Sequence, residues 1–272
     1  MIPRAHITAW RSRAPWPTDA QVEQDLVLTR ALTEIFKRSS IAKAVAFRGG
    51  TALHKLYFKH PGRYSEDIDL VQIEAGPIGP ILDAIRECLD PWMGEPRRRR
   101  GQGRVTMVYR FETTLEPRQQ MRLKIEINSR EHFSVLGLQR QTFIVNSPWY
   151  TDSADITVYA LEELLGTKLR ALYQRKKGRD LYDLWRVLKM EKISHRDVIE
   201  CFQRYISIGG HKVTRAQFEE NMVHKMQDPA FLEDVVPLLP TEVQYQAKTA
   251  YELVYSGLIT LIPGDPWKGA TS

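Results

Sequence analysis

Asp67 and Asp69 stand two residues apart in the run Ser65-Glu66-Asp67-Ile68-Asp69-Leu70. On a strand, residues i and i+2 share a face, so both carboxylates project together while Ile68 and Leu70 turn the other way. Two carboxylates held side by side repel unless a cation lies between them. Mg2+, which prefers hard oxygen ligands, is the usual solution; a merely polar strand end is the plain alternative. Glu126, in Lys124-Ile125-Glu126-Ile127-Asn128, lies on the polar face of a second alternating segment. If that strand lies beside the first, Glu126 supplies a third carboxylate. Three carboxylates on adjacent strands hold two divalent ions, which clamp the attacking and leaving oxygens of an in-line phosphoryl displacement. An exposed sheet face of alternating charge is the competing reading.

Upstream, Phe47-Arg48-Gly49-Gly50-Thr51-Ala52-Leu53 joins a strand-like run to a helix-like one. Glycine lets the backbone approach a ligand closely, and a helix start offers free N–H groups to phosphate; an ordinary turn reads the same way locally. Downstream, Leu161, Leu164, Leu165 and Leu172 form one stripe of a helix, and Lys168 falls inside that stripe. A lysine is almost never buried without a partner, so its ammonium must reach a carboxylate or a ligand anion; a lysine snorkelling at a domain seam is the alternative. Asp180 and Asp183 sit three apart beside the apolar face of the next helix and also require a cation, for which Lys168, Arg175 or Arg179 would serve. A structural ion-pair network that orients Lys168 is preferred here over metal binding by these two aspartates.

The elements that must position these groups are legible in outline. Residues 1–17 contain arginine and proline and read as a loose arm. Thr18 and Gln21 form a capping box that opens a helix to about Lys37. Strand-like runs follow at 42–47, 67–73, 105–111, 121–128 and 141–145. Helix patterns lie at 51–58 and 81–89, the latter stopped by Pro91. Arg97, Arg98, Arg99 and Arg100 read either as a solvated turn or as a phosphate-contacting patch. After Pro148 the character becomes helical, with patterns at 158–173, 180–189 and through 194–261. The expectation is an α/β (α+β) lobe with a mixed sheet over 1–150 and a mostly helical lobe over 151–272, with the boundary near 147–155.

The chain has 272 residues and a net charge of +6. Its 2 cysteines, Cys88 and Cys201, lack metal-type spacing. Neither a disulfide framework nor a cysteine zinc site is therefore expected, and a reduced cytosolic setting is the default. No apolar run approaches the roughly 18–20 residues that span a bilayer, and the first residues lack the apolar core of a secretory signal. The basic excess is compatible with a polyanionic partner.

Taken in order, these motifs resemble the nucleotidyltransferase superfamily with a DNA polymerase β-type core. More closely, the chain is similar to the AbiEii/AbiGii toxin family, including its MenT-type toxins. The carrying residues are Gly49-Gly50-Thr51-Ala52-Leu53, Ser65 to Leu70, Lys124 to Asn128, and Lys168 through Asp183, over about half the chain. The resemblance implies a bilobed, Mg2+-dependent enzyme that transfers a nucleoside monophosphate from an NTP and releases pyrophosphate. It implies Asp67, Asp69 and Glu126 as metal-binding and catalytic carboxylates. Glu126 in such a site helps deprotonate the acceptor hydroxyl. Arg48, Gly49, Gly50, Thr51, Ser65 and Lys168 correspond to nucleotide-binding positions, and Lys168 with Asp180 or Asp183 to motifs of the toxin family. Ser65 matches a position that a kinase-like antitoxin phosphorylates; a transcriptional repressor is the other antitoxin type. For MenT-type relatives the acceptor is the 3′ end of tRNA, where added nucleotides block aminoacylation. Arg97 to Arg100 and the recurrent Lys189, Lys192, Arg196, Arg204, Lys212, Arg215 and Lys225 are compatible with an RNA partner. Two other functions compete: nucleotidyl transfer to a protein or a small molecule such as an antibiotic, and a nucleotide- or RNA-binding module without catalysis.

Overall fold

The computed structural model describes residues 2–190 and 192–269. Met1, at the head of the expected arm, and residues 270–272, at the end of the expected C-terminal lobe, lie outside the described residues. The chain divides into two compact units, the first ending at Tyr159 and the second beginning at Ala160.

The first unit opens with α1 (Arg4–Trp10) and α2 (Asp19–Lys37). Residues 4–10 are thus helical, where the sequence suggested a loose arm. Ile7 and Trp10, one helical turn apart, are buried together with Ala14 and Trp16. Trp10 Nε1 donates to Asp25 Oδ1 at 2.8 Å, and Trp16 packs edge-on against Tyr64. Two tryptophans find a core here, and that burial outweighs the polar composition around them. The capping box at Thr18 and Gln21 forms as expected. α3 (Ser39–Ala44) leads into β1 (Val45–Arg48), so the apolar run at 42–47 is split between a helix end and a strand. α4 (Gly49–Ala52) continues as a π-helical turn, Leu53–Tyr57. β2 (Asp67–Gln72) follows, then α5 (Gly79–Met93). α5 runs past Pro91 instead of stopping there. Pro91 lies in the last turn, where its missing N–H forfeits one bond, and the helix ends at Gly94 with φ +75°.

Next come β3 (Arg97–Gly101) and β4 (Arg104–Glu112), joined by a turn whose Gly103 has φ +72°. The four arginines therefore form a strand and not a turn. β3 pairs antiparallel with β4 from Arg97↔Val108 to Gly101↔Arg104, and all its residues are exposed. Charged side chains suit such an edge strand. β5 (Gln120–Asn128), β6 (Leu138–Asn146) and β7 (Thr151–Tyr159) complete a seven-stranded mixed sheet of order β3-β4-β5-β2-β1-β7-β6. β7 is why the first unit extends beyond the expected boundary. It pairs antiparallel with β6 along its whole length and parallel with β1 at Phe47↔Val158.

Helices cover one face of the sheet. Tyr109 Oη on β4 donates to Asp90 on α5 at 2.9 Å, Gln24 on α2 donates to the Arg122 carbonyl at 2.7 Å, and Phe36 on α2 packs against Phe47. Val105, Met107, Tyr109, Leu123, Ile125, Ile127, Ile68 and Leu70 are buried on this side. Period-2 alternation then sends Thr106, Val108, Arg110, Arg122, Lys124, Glu126, Asp67 and Asp69 to the other face.

The second unit is helical, with α6 (Leu161–Gln174), α7 (Gly178–Met190), α8 (His195–Ile208), α9 (Arg215–Met226), α10 (Pro229–Glu233) and α11 (Ala247–Gly257). A Cβ at Gly166 would meet Cys201 and the backbone at Phe202, so glycine lets α6 and α8 approach closely. Both cysteines are free. Among the described residues, no helix is long and apolar enough to cross a membrane.

Candidate active site

Glu126 lies directly beside Asp69, which meets the condition on which its role depended. β2 pairs parallel with β5 in the register Asp67↔Lys124 and Asp69↔Glu126, and antiparallel with β1 at Arg48↔Asp69. The register is fixed by burial, because a slip of one residue would turn Ile125 and Ile127 out of the core. Lys124 lies between the acids: its Nζ is 3.3 Å from Asp67 Oδ2 and 3.1 Å from Glu126 Oε2. Arg104 Nη1 meets Glu126 Oε1 at 3.1 Å. On the other flank Arg48 Nη1 meets Glu131 Oε2 at 2.6 Å, and Asn128 donates to the same oxygen at 3.2 Å.

Burial, and then the adjacent Asp67 charge, hold the Asp69 carboxyl above its ordinary pKa, although Arg48 and Lys124 pull it down. Burial works against the Lys124 charge, but Asp67 and Glu126 outweigh it and raise its pKa.

The glycine turn is shaped by these side chains. Gly49 has φ +82°, and a Cβ there would overlap the Asp69 carboxylate. A Cβ at Gly50 would overlap the Arg63 guanidinium and stand 3.4 Å from Ser65 Oγ. Thr51 Oγ1 donates to the Asp67 carbonyl at 2.5 Å, and half-buried Ser65 lies 2.8 Å from the same hydroxyl. With the Thr51 proton committed to the carbonyl, Ser65 is the donor to Thr51. Arg48, Gly49, Gly50, Thr51, Ser65, Asp67, Asp69 and Glu126 are thus gathered on neighbouring elements of one unit.

Among the described residues, no group of three acidic, histidine or cysteine side chains stands close enough to hold one ion. Glu126 is held by Lys124 and Arg104. Asp67 and Asp69 are hard oxygen donors on one face, and burial together with the Asp67 charge disfavours a bare Asp69 carboxylate, so this pair fits a divalent cation of the Mg2+ kind.

The second unit holds a separate cluster. Lys168, 6% exposed, reaches Asp180 Oδ1 at 3.1 Å and Asp183 Oδ2 at 2.9 Å, and both aspartates are 0% exposed. Arg175 adds bonds of 2.6 and 2.8 Å to Asp180. Burial would raise the Asp180 carboxyl, but Lys168 and Arg175 outweigh it and hold its pKa below the usual range. Arg179 turns instead to Asp234, 3.9 Å away. Lys225 is not available to an external polyanion, because it is 3% exposed and donates to the Leu172 and Tyr173 carbonyls at the end of α6. Arg215 likewise pairs with Glu219 at 2.7 Å.

Three residues went unassigned from the sequence. Lys124 was visible on the polar face, but its bridging position needs the strand beside it. Arg63 and Glu131 carried no local signal; each matters because of what the fold sets against it, Gly50 and Arg48 respectively.

The family description "Nucleotidyl transferase AbiEii toxin, Type IV TA system" matches residues 30–252. The nucleotidyltransferase toxin MenT4 of Mycobacterium tuberculosis H37Rv is structurally similar, with a TM-score of 0.69 at 17% identity, over 97% of this chain and 92% of that one. JHP933 from Helicobacter pylori gives 0.53 at 16% identity, over 88% and 91%. A nucleotidyltransferase described as putative from H. pylori gives 0.53 at 15%, over 88% and 94%. At such identities the likeness is one of fold. No curated protein sequence matches the chain.

Proposed function

Because the chain belongs to the AbiEii nucleotidyltransferase toxin family of type IV toxin–antitoxin systems, we propose that it transfers a nucleoside monophosphate from an NTP to the 3′ end of tRNA in the cytosol. The modification blocks aminoacylation and so translation. The observation that carries this reading is the register Asp69↔Glu126, with Asp67 on the same face and the Gly49-Gly50 turn against Asp69.

Asp67 and Asp69 are the residues that would hold Mg2+. Bound there, the ion offsets the charge that develops on the transferring phosphoryl group. Gly49, Gly50 and Thr51 receive the triphosphate, in a turn whose glycines let the Asp69 carboxylate and the Arg63 guanidinium lie against the backbone. Arg63 and Arg48 supply positive charge on either side of that turn. Lys124 holds Asp67 apart from Glu126, and Glu126 is assigned the proton of the acceptor hydroxyl. Lys168, Asp180 and Asp183 are assigned a positioning role, since the lysine is already committed to two carboxylates.

The family implies a cognate antitoxin. A kinase-like antitoxin acting at Ser65 would place about −1.5 to −2 charge two residues from Asp67, where it repels triphosphate and metal; a transcriptional repressor would leave Ser65 unmodified. Mass spectrometry of the toxin co-expressed with its antitoxin decides between them.

The function is tested by incubating the chain with each of the four labelled NTPs, Mg2+ and total tRNA, then with lysate protein. Label in tRNA, lost by at least 100-fold in Asp67→Ala, is expected. Label in protein alone would overturn the tRNA acceptor, and toxicity surviving Asp67→Ala would overturn the metal-centred mechanism.

A further inference from the structure

The arginine run is divided by the pleat between the two faces of the sheet. On β3, Arg97 stands opposite Val108 and Arg99 opposite Thr106, so these two share the face that carries Asp67, Asp69 and Glu126. Arg98 stands opposite buried Met107 and Arg100 opposite buried Val105, so they share the helical face. Arg98 accordingly acts electrostatically on the Tyr109 hydroxyl beneath the sheet. On the carboxylate face one register row runs Arg99–Thr106–Glu126–Asp69–Arg48 across five adjacent strands. Arg99 is three strand spacings from Asp69, about 14 Å.

A second feature of this face is independent of the run. Arg110 on β4 and Arg122 on β5 are directly opposite each other in the register, both are exposed, and neither makes an ion pair among the described residues. Like charges directly opposite one another destabilise a sheet. The two arginines line a surface hollow with Gln24, Glu66, Gln120 and Met121. Glu66, its one carboxylate, faces the Tyr64 hydroxyl. Lys124 and Arg104, by contrast, are committed to Asp67 and Glu126. Four guanidiniums without an ion pair among the described residues therefore lie on the face of the catalytic carboxylates.

We propose that Arg97, Arg99, Arg110 and Arg122 form a phosphate-binding track that holds the backbone of the acceptor RNA beside the carboxylates, and that Arg98 and Arg100 lie outside it. The proposal rests on the RNA-acceptor reading above. Edge protection alone explains charge on β3 but is indifferent to face, and it does not account for the Arg110–Arg122 pair on interior strands. Guanidiniums spaced along a sheet match phosphates spaced along a nucleotide chain, each taken through two parallel hydrogen bonds.

The test uses the full chain, tRNA carrying a 3′ fluorophore, and anisotropy over a salt series. Arg97→Gln/Arg99→Gln and Arg98→Gln/Arg100→Gln change the net charge equally. The first double variant is expected to bind about tenfold more weakly near 0.1 M salt. Its slope of log K against log salt should fall by about 1.4, because two phosphates of a single strand are no longer neutralised. The second double variant should stay within about twofold of the parent. Arg122→Gln should weaken RNA binding yet raise Tm by about 1–3 °C, since it removes a like-charge pair. Equal losses in both double variants, loss in neither, or the same dependence for polyglutamate and not for RNA would overturn the track. So would Arg122→Gln lowering Tm with binding unchanged. If the parent labels RNA while Arg97→Gln/Arg99→Gln binds and labels it equally well, the track fails and the acceptor reading stands. If the parent labels only protein, both fail.

Discussion

Replacing Lys168 with methionine tests whether the buried cluster of the second unit is an electrostatic unit. Methionine keeps most of the side-chain volume and removes the charge. It leaves Asp180 and Asp183, both 0% exposed, without the ammonium they share, while Arg175, whose side chain is 50% exposed, still pairs with Asp180. Removing one partner of a buried ion pair costs about 3–5 kcal/mol. That is a large part of the roughly 5–15 kcal/mol of a typical domain, and it corresponds to a fall in Tm of about 6–20 °C. The pH dependence separates this from a packing loss. In the parent, Lys168 and Arg175 hold the Asp180 pKa below its unfolded value. The stability this supplies is present above roughly pH 4 and is lost as the pH falls through the folded pKa. In the variant the Asp180 carboxyl loses the Lys168 part of that support and binds its proton more strongly when folded. The variant therefore recovers relative to the parent as the pH is lowered. Urea unfolding at about pH 7 and about pH 5 should show a deficit that shrinks at the lower pH. Lys168→Met/Asp183→Asn restores charge balance and should be less destabilised than the sum of its single changes, by about 1–3 kcal/mol. A deficit below about 1 kcal/mol, or one that does not vary with pH, would refute the electrostatic account.

Gly49→Ala forces a side chain into φ +82° and against the Asp69 carboxylate. It should cost about 1–3 kcal/mol in backbone strain and reduce NMP incorporation more than Tm, read by labelled-NTP transfer beside a thermal melt. Lys225 has its pKa lowered to about 8 from 10.5 by burial, opposed by Asp180 and reinforced by Lys176. Because the unfolded chain binds this proton more tightly, the Lys225 contribution to stability grows as the pH rises through 8. The parent should gain about 2 kcal/mol over Lys225→Met between about pH 8 and about pH 9.5 in urea titrations, and a constant difference would contradict the assignment.

The chemistry-bearing positions were legible because their signals are local. Asp67 and Asp69 share a face by the pleat alone, and the alternation of Met121 to Asn128 fixes which side of β5 is polar. Lys168 inside a leucine stripe called for a carboxylate or a ligand anion, and the structure supplies two carboxylates. The arginine run misled because a strand without an apolar side chain has no periodic signal; it is a strand only because β4 pairs with it. Residues 151–159 escaped for a related reason. Their outer half is polar, and pairing with β6 and β1 was needed to make β7.

The sequence by itself determined the capping box of α2, the paired aspartates, the polar face of β5 and the place of Lys168 inside an apolar stripe, since each follows from residue type and a fixed helical or strand period. Tertiary structure alone decided that β5 lies beside β2 in the register that sets Glu126 against Asp69. It also placed Lys124 between two acids, put Arg63 over Gly50, and divided the four arginines between two faces. Strand order and register arise from burying whole apolar faces against α2 and α5, between segments more than fifty residues apart, and no local spacing encodes that pairing.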